Sequence, residues 1–106
     1  MSVRVVAMFE IKPEHVDEFI AAAVETLVKP THAEDGCLAY QLCQDQDDPG
    51  MIAMIEEWRD DESLDRHLAE PRLHQALAEL EPMMDAPPVI ARFNPLSAPG
   101  PDGSQE

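Results

Sequence analysis

Cys37-Leu38-Ala39-Tyr40-Gln41-Leu42-Cys43, followed by Gln44-Asp45-Gln46-Asp47-Asp48-Pro49-Gly50 and then Met51-Ile52-Ala53-Met54-Ile55-Glu56-Glu57-Trp58, is the stretch on which the fold turns. Two strand-like runs flank a polar segment punctuated by Pro-Gly, and that arrangement predicts an antiparallel hairpin. Side chains alternate along a strand. In the first run Leu38, Tyr40 and Leu42 are therefore expected on one face and Cys37, Ala39, Gln41 and Cys43 on the other. In the second run Met54, Glu56 and Trp58 share a face.

Towards the N-terminus, Thr31 to Gly36 reads as an irregular last turn closed by glycine. Before it, Val16, Phe19, Ile20, Ala23, Val24 and Leu27 repeat at helical spacing, which predicts an amphipathic helix that Pro30 disturbs. Pro13 with Glu14 and Asp17 suits its start. Val3 to Ile11 is a β-branched, apolar run that predicts a strand buried on both faces in its middle.

Towards the C-terminus, Asp60 or Asp61 can cap a helix that carries Leu64, His67 and Leu68 on one side. Pro71 restarts the helix, and Leu73, Ala76, Leu77 and Leu80 continue the apolar stripe. Pro82, Pro87 and Pro88 end it. Val89 to Phe93 is the fourth strand. Residues 1–95 then form one domain, and 96–106, rich in Pro, Gly, Ser and acids, are expected as a disordered tail.

The order β-α-β-β-α-β is the ferredoxin-like α+β pattern, an antiparallel sheet with helices on one face. Its other face is expected to carry residues such as Met54 or Tyr40 into water. An uncovered apolar face marks an interaction site, and a two-fold sheet-to-sheet homodimer is the economical cover.

The chain has 106 residues, 44% of them apolar, and a formal charge of −15. That is one small domain, with little buried surface of its own. Its acidity disfavours nucleic acid and anionic membrane surfaces. Cys37 and Cys43, on one strand, are expected roughly 20 Å apart, too far for a disulfide. Free thiols, no apolar leader and no run approaching the ~20 residues of a membrane span predict a soluble cytoplasmic protein.

Several segments together resemble a known family. Glu34-Asp35-Gly36-Cys37-Leu38-Ala39-Tyr40 is similar to an E-x-G-C-x-x-Y signature. Asp45 to Pro49 resembles an acidic hairpin turn, and Glu56-Glu57-Trp58-Arg59-Asp60 an E-x-W-x-D strand end. His67 matches a histidine on the following helix. In order and spacing these resemble the antibiotic-biosynthesis-monooxygenase, or quinol-monooxygenase-like, family. The resemblance implies a dimeric α+β barrel with a pocket in each subunit between sheet and helices. It also implies oxidation of quinols or polycyclic phenols by molecular oxygen without metal or flavin. The family also holds haem-degrading enzymes, an isomerase of sugar phosphates and members of no known reaction, so fold alone does not assign function. The haem-degrading branch has an Asn on the first strand, a Trp on the second helix and a downstream His. Here those places carry Ala7, Met8 and Phe9, His67, and a residue near Leu77.

His67 is the candidate catalytic residue: an inward histidine titrates near working pH and can take a phenolic proton. The alternative is a histidine hydrogen-bonded at the helix–sheet joint. Trp58, Tyr40, Glu56 and Met54 are the candidate substrate-binding residues. Trp58 and Tyr40 can hold a ring or polarise an oxygen, or simply pack the core. Glu56 can hold His67 or bind substrate, or pair with Arg92. Pro71 spoils the register between His67 and His74, so no metal site is expected. The resulting expectation is a cofactor-independent monooxygenase acting on a small aromatic substrate and O2. The rival readings are a non-catalytic ligand-binding or accessory protein and an isomerase that uses the same histidine.

Overall fold

The computed structural model describes residues 2–101. Strand β1 (Val3–Glu10) leads through a 3-10 turn (Pro13–His15) into α1 (Val16–Ala23), a π-helical stretch (Val24–Val28) and the short α2 (Lys29–Thr31). Strands β2 (Cys37–Gln44) and β3 (Met51–Trp58) form the hairpin. Helices α3 (Asp61–Leu68) and α4 (Pro71–Leu80), a 3-10 turn (Glu81–Met83) and β4 (Val89–Phe93) complete the chain. The sheet order is β2-β3-β1-β4, all neighbours antiparallel, which is the ferredoxin-like arrangement. Residues 94–101 carry no helix or strand, and the end of the expected tail, 102–106, lies outside the described residues.

The first helix does not stop at Pro30. Proline has no N–H for the carbonyl four residues back and its ring crowds that carbonyl. Here that carbonyl belongs to Thr26, and the helix widens into its π stretch around it. Arg72 Nη1 from α4 donates to the Thr26 carbonyl at 3.1 Å. A partly buried backbone acceptor thus gains a partner, and the guanidinium of α4 is drawn against the end of the first helix.

One face of the sheet is covered. On β1, Val3, Val5, Ala7 and Phe9 are buried. On β3, Ile52, Met54, Glu56 and Trp58 are buried against Phe19, Ala23, Leu27, Leu64, Leu73, Ala76 and Leu80 of the helices. Tyr40 and Met54 are 5% and 1% exposed. They lie under the helices, which corrects the expectation that they face water. The parity of Met54 is that of Glu56 and Trp58, and Tyr40 pairs with Glu56, so all four turn inward. The other face carries Val6, Met8, Ala53, Ile55, Val89, Ala91 and Phe93, brought side by side by the register. Ile55, Val89 and Phe93 are 41%, 66% and 50% exposed. For the same reason β1 is sealed on one face only, not on both.

A register shift between Cys37 and Ala39 breaks the alternation of β2. Cys37 pairs with Trp58 and packs on the core, Leu38 bulges into solvent, and Cys43 keeps to the open face beside Ala53. The two thiols are therefore on opposite faces, not the same one, because a bulge shifts side-chain parity by one residue.

Among the described residues Gly36 alone, at φ +88, has a left-handed backbone, and a Cβ there would lie 2.2 Å from Ser63 Oγ. The loop before β2 thereby docks directly on the start of α3, where Asp60 caps the helix by accepting from Ser63 N at 2.8 Å. Gly36→Ala combines an unfavourable backbone with a clash and is expected to destabilise the fold by on the order of 3 kcal/mol, read as a lowered denaturant midpoint. An unchanged midpoint would contradict this docking.

Candidate active site

His67 sits on the inner side of α3, 2% exposed. Its position follows from spacing, because Leu64 and His67 are three residues apart on one helical face. Its Nδ1 lies 2.9 Å from Glu34 Oε1. The other carboxylate oxygen of Glu34 pairs with Arg72, which also reaches the Thr31 hydroxyl at 3.4 Å. An ion-paired carboxylate only accepts, so Nδ1 carries the proton and Nε2 keeps a lone pair. The hydrogen bond to Glu34 through Nδ1 is the one His67 side-chain bond among the described residues, and the residue borders a cavity. Burial pushes the His67 pKa below its ordinary 6.5, and the Glu34 charge opposes that in part. The ring is therefore neutral and basic at neutral pH.

Two aromatic residues fix the ring plane. Trp58 stacks on His67 with centroids 4.6 Å apart and planes inclined by 35°, and Tyr40 meets it edge-on at 5.4 Å. The Trp58 indole N–H donates to Glu56 Oε1 at 2.8 Å. Glu56 is 5% exposed and has no cation beside it. Arg92 pairs instead with Asp61 and Asp65 on the outside of α3. Desolvation pushes the Glu56 pKa up to about 7, the Trp58 hydrogen bond working against it and Glu34 with it. The same burial raises the Tyr40 phenol, with the Glu56 charge adding, so Tyr40 stays protonated.

A cavity of about 50 Å³ lies between sheet and helices. Tyr40, Glu56 and His67 supply its polar lining and Val5, Met54 and Leu73 are among its apolar walls. Its mouth lies between α4 and β4, where Leu77, Pro88 and Ile90 border it and Ile90 is 53% exposed. Its volume suits a water or a diatomic gas. Ordinary ligand pockets are several times larger, so an aromatic ring requires the flexible Leu and Ile side chains at the mouth to swing aside.

Four of the five residues singled out from sequence, His67, Tyr40, Glu56 and Met54, thus share the cavity. Trp58 lies behind it, fully buried and with its N–H already committed to Glu56. Glu56 neither holds His67 nor pairs with Arg92. The holder is Glu34, and Glu34 and Arg72 are the site residues that sequence reasoning did not single out. Glu34 stood in the signature stretch without a role, whereas nothing local marks Arg72. His74 is exposed and its Nε2 bonds the Leu68 carbonyl at 2.7 Å, away from His67. Among the described residues no three His, Cys, Asp or Glu side chains are grouped to hold a metal ion.

A carboxyl raised from 4.5 to about 7 by folding favours the native state while protonated. That stability is complete below pH 4.5 and is lost as pH rises to about 7, and it amounts to roughly 3 kcal/mol. Glu56→Gln, which keeps the acceptor for Trp58 and cannot ionise, is expected to gain about 3 kcal/mol on the wild type between about pH 4 and about pH 8. Urea unfolding across that range measures it, and a pH-independent difference would refute the buried, unpaired carboxyl.

The chain matches the antibiotic biosynthesis monooxygenase family profile over residues 2–79. It is 29% identical over 94 residues to "Putative monooxygenase Rv0793" of Mycobacterium tuberculosis, covering 89% of this chain and 91% of that one. It is 28% identical over 81 residues to the uncharacterized protein sll1783 of Synechocystis, covering 76% of this chain, and spans about half (54%) of that longer protein. The crystal structure of a conserved protein from Methanosarcina mazei superposes with a TM-score of 0.82 at 32% identity, covering 88% of this chain and 91% of the other. With its ferredoxin-like sheet and the match over most of its folded length, the chain belongs to the antibiotic biosynthesis monooxygenase family.

Proposed function

We propose that this protein is a cofactor-independent monooxygenase that oxidises a small quinol or phenol with molecular oxygen, and that it works as a homodimer. The observation that carries the reading is the orientation of His67: Nδ1 tied to Glu34, Nε2 unpartnered at an apolar cavity. Such a ring takes a phenolic proton as a general base. The anion so formed can pass an electron to dioxygen, and a cavity too small for bulk water limits its reprotonation. Tyr40, protonated and lining the same cavity, would turn its hydroxyl from Thr31 to a substrate oxygen, and Met54 forms part of the apolar wall. Trp58 serves by holding His67 and Glu56 in place.

The small size of the closed cavity favours a second reading, a non-catalytic protein that binds a small ligand in the same place. The two readings separate in one assay. The metal-free protein is expected to consume oxygen with a hydroquinone or an anthrone, and His67→Ala to lower the rate by about 100-fold or more. A rise in melting temperature with these compounds but no oxygen uptake would establish the binder instead.

The dimer reading rests on the open sheet face. Val6, Met8, Ile55, Val89 and Phe93 form a contiguous apolar surface, of a kind that stable monomers rarely leave in water. A second copy laid sheet to sheet covers it by two-fold symmetry. Cys37 and Cys43, both unpaired, suit a reducing cytoplasm, and no helix among the described residues is long and apolar enough to cross a membrane. Sedimentation at micromolar concentration is expected to show twice the 11.8 kDa chain mass, and Ile55→Glu to shift it towards one. A wild type that sediments as the single chain would overturn the dimer.

A further inference from the structure

Resting on the oxygenase reading, we propose that Glu56 is a second catalytic residue of the cavity, the acid that protonates the peroxide formed when dioxygen adds to the substrate. Its placement is odd for a structural carboxyl. It points inward from the middle of the sheet, between Val5 of β1 and Tyr40 of β2, and only the Trp58 N–H is hydrogen-bonded to it. A glutamine would serve that N–H equally well. Removing an unpaired carboxylate from water costs several kcal/mol, so a buried, cation-free carboxyl survives in a fold only at a cost in stability. The Trp58 bond to Oε1 is the one side-chain hydrogen bond of Glu56 among the described residues, and the residue lines the same small cavity as His67.

The charged and titratable groups around Glu56 leave it free to exchange its proton. Tyr40 on β2 is protonated and remains so. Trp58, on its own strand, donates one hydrogen bond. His67 on α3 is neutral. Glu34 in the loop before β2 is neutralised by Arg72 on α4 and raises Glu56 further, while Arg92 on β4 is turned out to Asp61 and Asp65. Nothing locks the carboxyl in its ionised form, and it changes protonation near neutrality.

The oxygenation needs both a base and an acid. For a substrate with a ring CH2 in equilibrium with its phenol, His67 Nε2 takes the acidic proton and the resulting anion adds to dioxygen. A C–O bond forms, the carbon is oxidised, and the dioxygen is reduced to a bound peroxide. Glu56 gives its proton to the distal oxygen. The second C–H proton then leaves to the carboxylate of Glu56, the O–O bond breaks, and hydroxide departs as water with the proton held by His67. One oxygen atom ends in the carbonyl and the other in water, both side chains regain their starting states, and dioxygen is the sole oxidant.

The test is oxygen uptake by the full-length wild type and Glu56→Gln with anthrone, against pH, beside the fluorescence of Trp58, the sole tryptophan. For the wild type a bell is expected, rising as His67 loses its proton below 6.5 and falling as Glu56 ionises at about 7. Trp58, which touches both groups, should show two emission transitions, a lower one with His67 and an upper one with the midpoint of the falling limb. In Glu56→Gln, kcat is expected to drop about 100-fold with little change in KM, and the upper fluorescence transition to vanish while the lower one stays. Wild-type kcat and an unchanged falling limb in Glu56→Gln would overturn the proposal alone. Absence of uptake by the wild type would overturn the oxygenase reading and this proposal together. If Glu56→Gln does not fold, the wild type decides: a falling limb and an upper Trp58 transition at different pH values refute the assignment.

Discussion

The Glu34 carboxylate is the tie on which the rest depends. One oxygen holds His67 of α3 and the other holds Arg72 of α4, so a single residue in the loop before β2 joins both helices of the second half to the end of the first. A partly buried carboxylate with one cation and one neutral N–H donor is a balanced unit. Taking Glu34 away leaves a partly buried guanidinium without its counter-charge, which is the costly direction of such a change. The same tie decides the chemistry. It fixes which histidine nitrogen carries the proton, and the nitrogen left over is the one at the cavity.

The position of Arg72 has its own cause further back in the chain. Pro30 prevents an α-helical partner for the Thr26 carbonyl, the helix widens, and the orphaned acceptor recruits the guanidinium. Once there, Arg72 meets Thr31 and Glu34 as well. A helix irregularity and an ion pair that look unrelated in sequence are thus one arrangement. Gly36 permits it, because only a residue without a side chain lets the loop lie on Ser63 while Glu34 reaches under α3.

Local pattern carried most of the fold. The hairpin, the helical stripe from Val16 to Leu27, the Pro71 break and the β4 segment Val89–Phe93 are all short-range signals, and each stands where its periodicity places it. What escaped was long-range or off-period. The bulge at Leu38 reverses the parity of Cys37 without any mark in composition. Which face of the sheet is covered depends on where the helices land, so Tyr40 and Met54, expected in water, lie under the helices with Trp58. His67 was legible because an inward histidine among leucines is unusual on its own helix. Its partner was not, because Glu34 and His67 are 33 residues apart and the contact is made in space alone.

The charge balance of the cavity also sorts the chemistries that this family supports. Every cation near it is spent: Arg72 on Glu34, and Arg92 on Asp61 and Asp65. What faces the hollow is a carboxyl, a neutral imidazole and a phenol amid aliphatic walls. A phosphate or carboxylate entering there would lose its hydration and gain no counter-charge, a penalty that the net charge of −15 deepens. A sugar phosphate is therefore a poor fit, which weighs against the isomerase reading. A neutral ring bearing a hydroxyl group matches a lining with one free acceptor, His67 Nε2, and two protonated groups, Glu56 and Tyr40. Under the proposed oxygenase reading, a substrate anion would be the least stable species in such a lining, and electron transfer to a small neutral oxidant would relieve it.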